Sequence, residues 1–378
     1  MPENRSFDLA VAGGGLAGLS LAIQIAGQGY RVIVFEKDHY PVHKVCGEYI
    51  SMESWNFLHD LGIDLSSMNL PRIKKIQISS PSGKSLEHKM PLGGFGISRY
   101  LLDQTLAQLA TNAGALVMTN TRVNDIQFND GSFTIQTSAG DFSASLAAGC
   151  FGKRSNIDVK WKRTFIQKKP DRLNNFVGVK YHIETDFPGD SIALHHFKDG
   201  YCGLVKIENG LYNLCYLTRA TNLLTHGNIA DMERNVLMRN PFLKKIFSSS
   251  RFVTQSPVTI SQISFAKKEQ VEKHLLMIGD AAGMITPLCG NGMSMAFHAS
   301  KILAEQMTRC LQGQINRKEM EDIYTRQWRK LFSPRLRMGR AIQKILIGER
   351  MSGILIGICR AFPFLLDPLI RRTHGNPF

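Results

Sequence analysis

The stretch Phe7–Lys37, FDLAVAGGGLAGLSLAIQIAGQGYRVIVFEK, decides the fold. Its apolar run from Phe7 to Ala12 reads as a buried strand. Gly13, Gly15 and Gly18 follow at GxGxxG spacing, and a run of small and apolar residues then reads as a helix. A second strand, Arg31 to Phe35, ends at Glu36. Strand, glycine turn, helix, strand and acid in that order form a dinucleotide-binding unit. Gly13 permits the tight turn, Gly15 lets bare backbone approach a pyrophosphate, and Gly18 lets helix and sheet pack closely. The helix N-terminus turns unpaired N–H groups and the positive end of its dipole toward the phosphates. Glu36 is placed to accept hydrogen bonds from ribose hydroxyls. This unit alone does not separate FAD from NAD.

A late stretch, Gly279–Ser300 (GDAAGMITPLCGNGMSMAFHAS), makes that separation. It follows an apolar strand that ends at Gly279–Asp280. Asp280 can bond a ribityl hydroxyl or order water on the pyrophosphate. Pro287, Gly290 and Gly292 let bare backbone lie against a flat ring, and a helix from about Met293 points its positive end at that ring. A reduced flavin gathers negative charge at N1 and O2, where N–H groups and a helix dipole stabilise it. A nicotinamide dinucleotide needs no second motif of this kind. The expected cofactor is FAD.

Composition bounds the rest. Of 378 residues, 43% are hydrophobic and 20% charged, which is ordinary for a globular chain. Lys and Arg number 46 against 31 Asp and Glu, leaving +15. That excess favours an anionic partner: a phosphorylated cofactor, an acidic carrier, a lipid headgroup or nucleic acid. A solvated basic surface is the plain alternative. The cysteine count, 7, is odd and no CxxC pair occurs, so neither a disulfide framework nor a zinc site is expected and a reducing cytoplasm fits. A strand pattern begins within a few residues of Met1, leaving no room for a signal or transit peptide. No uncharged apolar run reaches the length of a membrane span. No metal site is expected. His195 and His196, adjacent in a strand, point to opposite faces; a satisfied strand histidine is the plain reading, with one able to enter a pocket.

With both motifs placed, the chain resembles the FAD-dependent superfamily of aromatic hydroxylases, flavin halogenases and geranylgeranyl reductases. The likeness covers most of residues 5–310 and is strongest at GGGLAG…VFEK and GDAAGMITPLCGNGM. It implies an α/β fold: a discontinuous Rossmann-like FAD-binding domain (residues 1–71, 91–158 and 265–312), an antiparallel β-sheet substrate domain (72–90 and 159–264), and a helical C-terminal segment (313–378). ISRYLLDQTLAQLATNAGA resembles the family's arginine-bearing helix, so Arg99 is expected near the FAD phosphates. KVCGE resembles the stretch that lies against the flavin in geranylgeranyl reductases. By that resemblance Cys46 and Glu48 border the reactive face and, with Tyr201, are the catalytic candidates. Cys46 as a small buried hydrophobe and Glu48 as a solvated loop acid form the alternative. Lys44 and Gly47 from the same stretch, with Leu16, Ala17, Lys37, Val123, Asn291 and Met293, complete the cofactor contacts the resemblance implies.

Three departures divide the possible activities. In LAAGCFGKRSNID, Phe151 stands where the family's GADGxxS stretch has an aspartate, which bears on nicotinamide binding. Reductases carry YxWxF; in DGYCGLVKIENG Tyr201 survives, but Gly203 and Val205 replace the two aromatics. Halogenases carry WxWxIP, whereas Trp55, Trp161 and Trp328 lie far apart, so that class drops. PLCGNGM follows the hydroxylase form. An NAD(P)H-dependent monooxygenase acting on a hydrophobic phenolic or prenylated substrate is thus favoured by GNGM and the missing tryptophan. A reductase of isoprenoid C=C bonds is favoured by VCGE. A basic membrane- or nucleic-acid-binding protein with structural FAD is the third reading, and the intact flavin loop speaks against it.

Residues 72–90 read as a hairpin and residues 175–218 as an antiparallel meander with turns at FPGD, KDG and ENG, together roofing the flavin. FNDGSFTIQTSAGDFSA reads as a second meander inside the FAD domain. The tail is basic and apolar. Arg326, Arg329, Arg335, Arg337, Arg340 and Lys344 recur at near-helical spacing, with Leu336, Ile342 and Ile345 between them. Arg360, Pro363, Asp367 and Pro368 exclude a spanning helix, leaving an interfacial helix or a domain cap, either able to close a greasy tunnel. The expected partners are a small hydrophobic substrate and, if the tail is interfacial, the anionic inner face of a membrane, with no nucleic acid. Oligomeric state stays open.

Overall fold

The computed structural model describes residues 5–167, 174–254, 256–286, 290–346 and 349–378; Pro287 lies outside the described residues. Two sheets organise the chain. In the first, Ser6–Ala12 runs parallel between Val32–Phe35 and Gly140–Gly149. Leu116–Met118 and Leu275–Met277 extend the two sides, also in parallel. Val32, Ile33, Val34 and Phe35 are all buried, as a strand covered on both faces requires. The helix Leu16–Ala26, apolar nearly all round, packs against Arg99–Asn112 and Gly292–Leu311. Val123–Asn129, Ser132–Thr137 and Gly140–Gly149 form the expected meander on this sheet.

The second sheet contains the hairpin Arg72–Ser79 and Ser85–Gly96 and the strands Asn174–Glu184, Ser191–Phe197, Gly200–Lys206 and Tyr212–Arg219. It takes in Tyr49–Ser51 as well, which pairs with Gly94–Gly96. The second sheet therefore starts inside the stretch 1–71 that the sequence reading gave to the first domain. The meander is not simple either. Asn174–Glu184 pairs with Tyr212–Arg219, while Ser191–Phe197 pairs with Gly200–Lys206 and, in parallel, with Arg72–Ser79. FPGD is thus a crossing connection rather than a hairpin turn. The linker between Glu184 and Ser191 is too long for a two-residue turn, and the Tyr212 hydroxyl holds it by donating to the Phe187 carbonyl.

The C-terminal segment is helical: Arg317–Leu346, Glu349–Ala361 and Leu366–Thr373. Met320, Tyr324, Trp328, Phe332 and Leu336 recur every fourth residue and are all buried, so the long helix carries a continuous apolar stripe into the core. The Tyr324 hydroxyl donates to the Met277 carbonyl at 2.6 Å, tying that stripe to the first sheet. The two shorter helices dock on Ser85–Gly96 of the second sheet. His88 and Asp367 meet there at 2.7 Å. This segment is a domain cap.

Candidate active site

The three glycines of the first turn have separate physical demands. Gly13 has φ +115°, and a Cβ there would lie 2.4 Å from the Cys150 carbonyl oxygen. A Cβ on Gly18 would lie 2.1 Å from the Gly13 carbonyl oxygen. Both are required by the chain's own packing. At Gly15 the nearest atom is Nη2 of Arg99 at 3.8 Å, so this backbone faces open space beneath a guanidinium. Asp103 grips Arg99 at 2.7 and 2.8 Å, fixing it by a bidentate bond. Lys44 reaches Asp103 at 3.1 Å and Glu36 at 3.7 Å. Glu36 is buried and accepts from the Gly14 and Asp38 amides at 3.0 and 3.1 Å.

A cavity of about 340 Å³ begins at this turn. Gly15, Leu16, Ala17, Arg99, Gly279 and Asp280 line its near end. Cys46, Gly47, Gly290, Asn291, Gly292 and Met293 line its middle, the last two opening the helix Gly292–Leu311. Buried cations hold the Asp280 loop by its carbonyls. Lys268 donates to the Asp280 carbonyl at 2.7 Å and also to the Lys153 carbonyl at 2.6 Å, and Arg163 donates to the Ala281 carbonyl at 3.1 Å. Burial, only partly opposed by Asp280 and Asp158, brings the Lys268 ammonium down to about 8. Gly13, Gly18, Glu36, Lys37, Lys44 and Val123 do not line the cavity. Lys37 is exposed beside Asp38, and the Val123 carbonyl is taken by Asn156.

Glu48 is fully buried, which removes the solvated loop acid as a description of it. Its carboxylate accepts from the Arg99 amide at 2.7 Å, from Nε2 of His182 at 2.7 Å and from the Lys180 ammonium. Burial pushes its pKa up, but Lys180 and His182 outweigh burial and hold it below the ordinary carboxylate value. Cys46 is half-buried, and its carbonyl accepts from Asn213 at 3.1 Å. Lys180, His182 and Asn213 were not singled out in the sequence. The register of their strands puts Lys180 opposite Cys215 and His182 opposite Asn213, on the face that looks toward residues 44–48. Period-two alternation along Asn174–Glu184 carried that signal.

Past Cys46 the cavity continues into an apolar chamber on the same face of the second sheet. Ile76, Ile78, Ile192, Leu194, Val205 and Leu217 form its wall. The C-terminal helices form its opposite side through Ile342, Leu355, Ile356, Cys359, Leu366 and Ile370. A Cβ on Gly203 would sit in ordinary contact, its nearest neighbour the Cys215 carbonyl oxygen at 3.6 Å, so the wall here is bare backbone by choice of residue rather than by clash. Tyr201 and His196, cross-strand partners, both line the chamber. His195 faces the other way, bonded to the Ser79 hydroxyl at 2.8 Å and stacked on Phe242.

Residues 6–332 match the family described as FAD binding domain. The chain belongs to that family. Digeranylgeranylglycerophospholipid reductase 2 of Methanothermobacter thermautotrophicus is 24% identical, over 92% of this chain and 91% of that one. Kynurenine 3-monooxygenase of Christiangramia forsetii is 24% identical, over 84% and 76%. Conditioned medium factor receptor 1 of Dictyostelium discoideum is 22% identical over 79% of this chain, which spans 63% of that protein's length. Among solved structures, a geranylgeranyl bacteriochlorophyll reductase-like protein of Thermoplasma acidophilum superposes with a TM-score of 0.78 at 20% identity, covering 94% of this chain and 92% of that one. A flavin-dependent brominase gives 0.80 at 18%, covering 97% and 93%. These likenesses carry the fold.

The protein is an FAD-dependent oxidoreductase, and the residues of this FAD binding domain fit the cofactor. The open face of Gly15 under Arg99 suits a pyrophosphate. Gly292 and Met293, which open the helix Gly292–Leu311, line the cavity, where that helix end would stabilise an electron-rich ring. Bound FAD would supply two-electron chemistry at the mouth of the apolar chamber.

Proposed function

We propose that this flavoprotein is an NAD(P)H-dependent monooxygenase that hydroxylates a hydrophobic phenolic or prenylated substrate. In that reaction one oxygen atom of O2 enters the substrate, the other leaves as water, and NAD(P)H supplies two electrons. The observation that carries the reading is the state of Glu48. Reduction of an alkene needs a proton donor beside the substrate. Glu48, the acid of the VCGE stretch, is held as a carboxylate with its acceptor sites filled by Lys180, His182 and the Arg99 amide. Oxygen insertion asks instead for a chamber that excludes water, and the apolar wall and helical cap support that reading. Turnover with NADPH, a 4-alkylphenol and labelled O2 tests this: one labelled oxygen is expected in the product. Saturation of a prenyl alkene without air, and no label uptake with air, would replace it with the second reading.

That second reading, reduction of isoprenoid C=C bonds, is favoured by Cys46 lining the cavity and by the likeness to the Methanothermobacter reductase. If it holds, Cys46→Ala slows flavin reoxidation by the alkene and leaves FAD content unchanged.

We also propose that the cap meets an anionic lipid surface. The helix Glu349–Ala361 has two apolar sides. Leu355, Ile356 and Cys359 face the chamber, while Met351, Ile354 and Ile358 are exposed, followed by exposed Phe362 and Phe364. Arg337, Lys344, Arg360 and Arg372 are exposed on the same C-terminal helices. Apolar side chains with cations among them suit an anionic bilayer, and a hydrophobic substrate would arrive from it.

A further inference from the structure

His196 is 1% exposed, and neither ring nitrogen has a hydrogen-bond partner among the described residues. Its neighbour His195 is just as buried but is satisfied by Ser79. Buried polar groups are ordinarily bonded, because each one left unpaired keeps its whole desolvation cost. His196 bears that cost on the wall of a chamber built to take something in. Burial holds its pKa near about 4, so at neutral pH the ring is uncharged, with one nitrogen donating and the other accepting.

The surroundings define what the ring can meet. His196 shares its face with Leu194 and Ile192 one and two steps back along the strand. Tyr201 lies directly across, with ring centroids 6.1 Å apart. Gly203, across from Leu194, adds no side chain to this face. An imidazole and a phenol thus stand side by side in a wall that is otherwise apolar and continues to Ile356 and Leu366.

We propose that His196 is the polar anchor of the substrate subsite, accepting a hydrogen bond from the hydroxyl of a phenol whose alkyl tail lies along the chamber under the C-terminal helices. This rests on the chamber being the substrate site and deepens the functional reading above by naming the substrate's polar group and the residue that selects it. A site built to bond a hydroxyl rejects the analogue that lacks it, because the buried partner is then left unpaired.

The test is equilibrium binding to the FAD-loaded enzyme, followed by flavin fluorescence, with 4-hexylphenol and hexylbenzene as probes. Wild type is expected to bind the phenol about tenfold more tightly. His196→Phe is expected to remove that preference by weakening the phenol alone, while His196→Gln, which keeps a hydrogen-bonding group, retains part of it. Melting temperature and FAD content monitor folding of both variants. Equal affinity of wild type for the two probes overturns the proposal and shows that His196 is satisfied by water or by nothing. Equal weakening of both probes in His196→Phe also overturns it, since the ring then serves packing only. Neither measurement needs turnover, so loss of the anchor and loss of the oxygenase reading are told apart.

Discussion

Glu48 and Lys180 form a fully buried ion pair across the junction between the nucleotide-binding half and the second sheet. Glu48 belongs to the stretch that lines the cavity, and Lys180 to a strand more than a hundred residues later, so their meeting registers one half on the other. His182 and the Arg99 amide complete the shell of the carboxylate.

Removing one partner strands a charge out of water. Lys180→Met is expected to destabilise the fold by about 3–5 kcal/mol, measured by urea denaturation. The double variant Glu48→Gln with Lys180→Met should recover part of that loss, because no unpaired charge remains. A single variant as stable as wild type would remove the pair from any role in joining the two halves.

The glycine turn separates binding from folding. Gly15→Val should yield folded but colourless protein, since its side chain enters open space under Arg99 rather than a packed wall. Gly18→Val should fail earlier, because its Cβ would overlap the Gly13 carbonyl. Visible flavin absorbance per protein, read beside the melting temperature, distinguishes the two. A yellow Gly15→Val protein would place the pyrophosphate elsewhere.

Acid sensitivity follows from the two strand histidines. Burial lowers His195 to about 3, with His196 adding to it, and lowers His196 to about 4. The unfolded chain then binds more protons than the folded one below the ordinary histidine value, so stability falls as pH drops through that window. The contribution is complete above about pH 6.5 and is lost on the way to pH 4. For His196 the amount is on the order of 3 kcal/mol. Glu48 has the opposite chemistry and the same sign: its pKa is depressed, so its contribution is lost only below the usual carboxylate range. Urea midpoints from pH 7 to 4 should decline, and less steeply in His196→Phe. A flat profile would contradict the buried neutral imidazole.

The cofactor half was the most legible part of the chain, because backbone geometry there leaves a mark on residue type. A Cβ at Gly13 or Gly18 has no room, as the tight turn and close helix packing expected from GxGxxG require, whereas Gly15 faces open space. The second sheet was less legible. Its strands are local and show in the alternation, but the pairing of Asn174–Glu184 with Tyr212–Arg219 is a long-range choice that no turn motif encodes. For the same reason KVCGE suggests Glu48 at the reactive face, with a solvated loop acid as the alternative, but does not reveal its burial. What determines its state are Lys180 and His182, which only the fold brings near.

The lipid proposal has its own outcome. Flotation with anionic vesicles at low salt should recover the protein, neutral vesicles should not, and salt should weaken the attachment. Each exposed cation near such a surface is worth about 1 kcal/mol before screening. Ile354→Asp with Phe364→Asp should abolish flotation without unfolding, because both side chains are exposed. Deleting residues 326–378 should instead give insoluble protein, since Trp328, Phe332 and Leu336 leave the core with them. Absence of flotation at low salt would leave the outer side of the cap for another copy of the chain or a different protein.

The helices that close the chamber contribute no strand to either sheet and no residue to the glycine turn. Depth at the far end is therefore set by Leu355, Ile356, Cys359 and Leu366, side chains of the C-terminal cap. The molecule thus holds its reactive end and its measuring end on different pieces of chain. On the proposed reading, a larger or smaller residue at Ile356 shortens or lengthens the accepted tail while Arg99, Cys46 and Asp280 keep their places, so the length of the guest can drift without disturbing the chemistry.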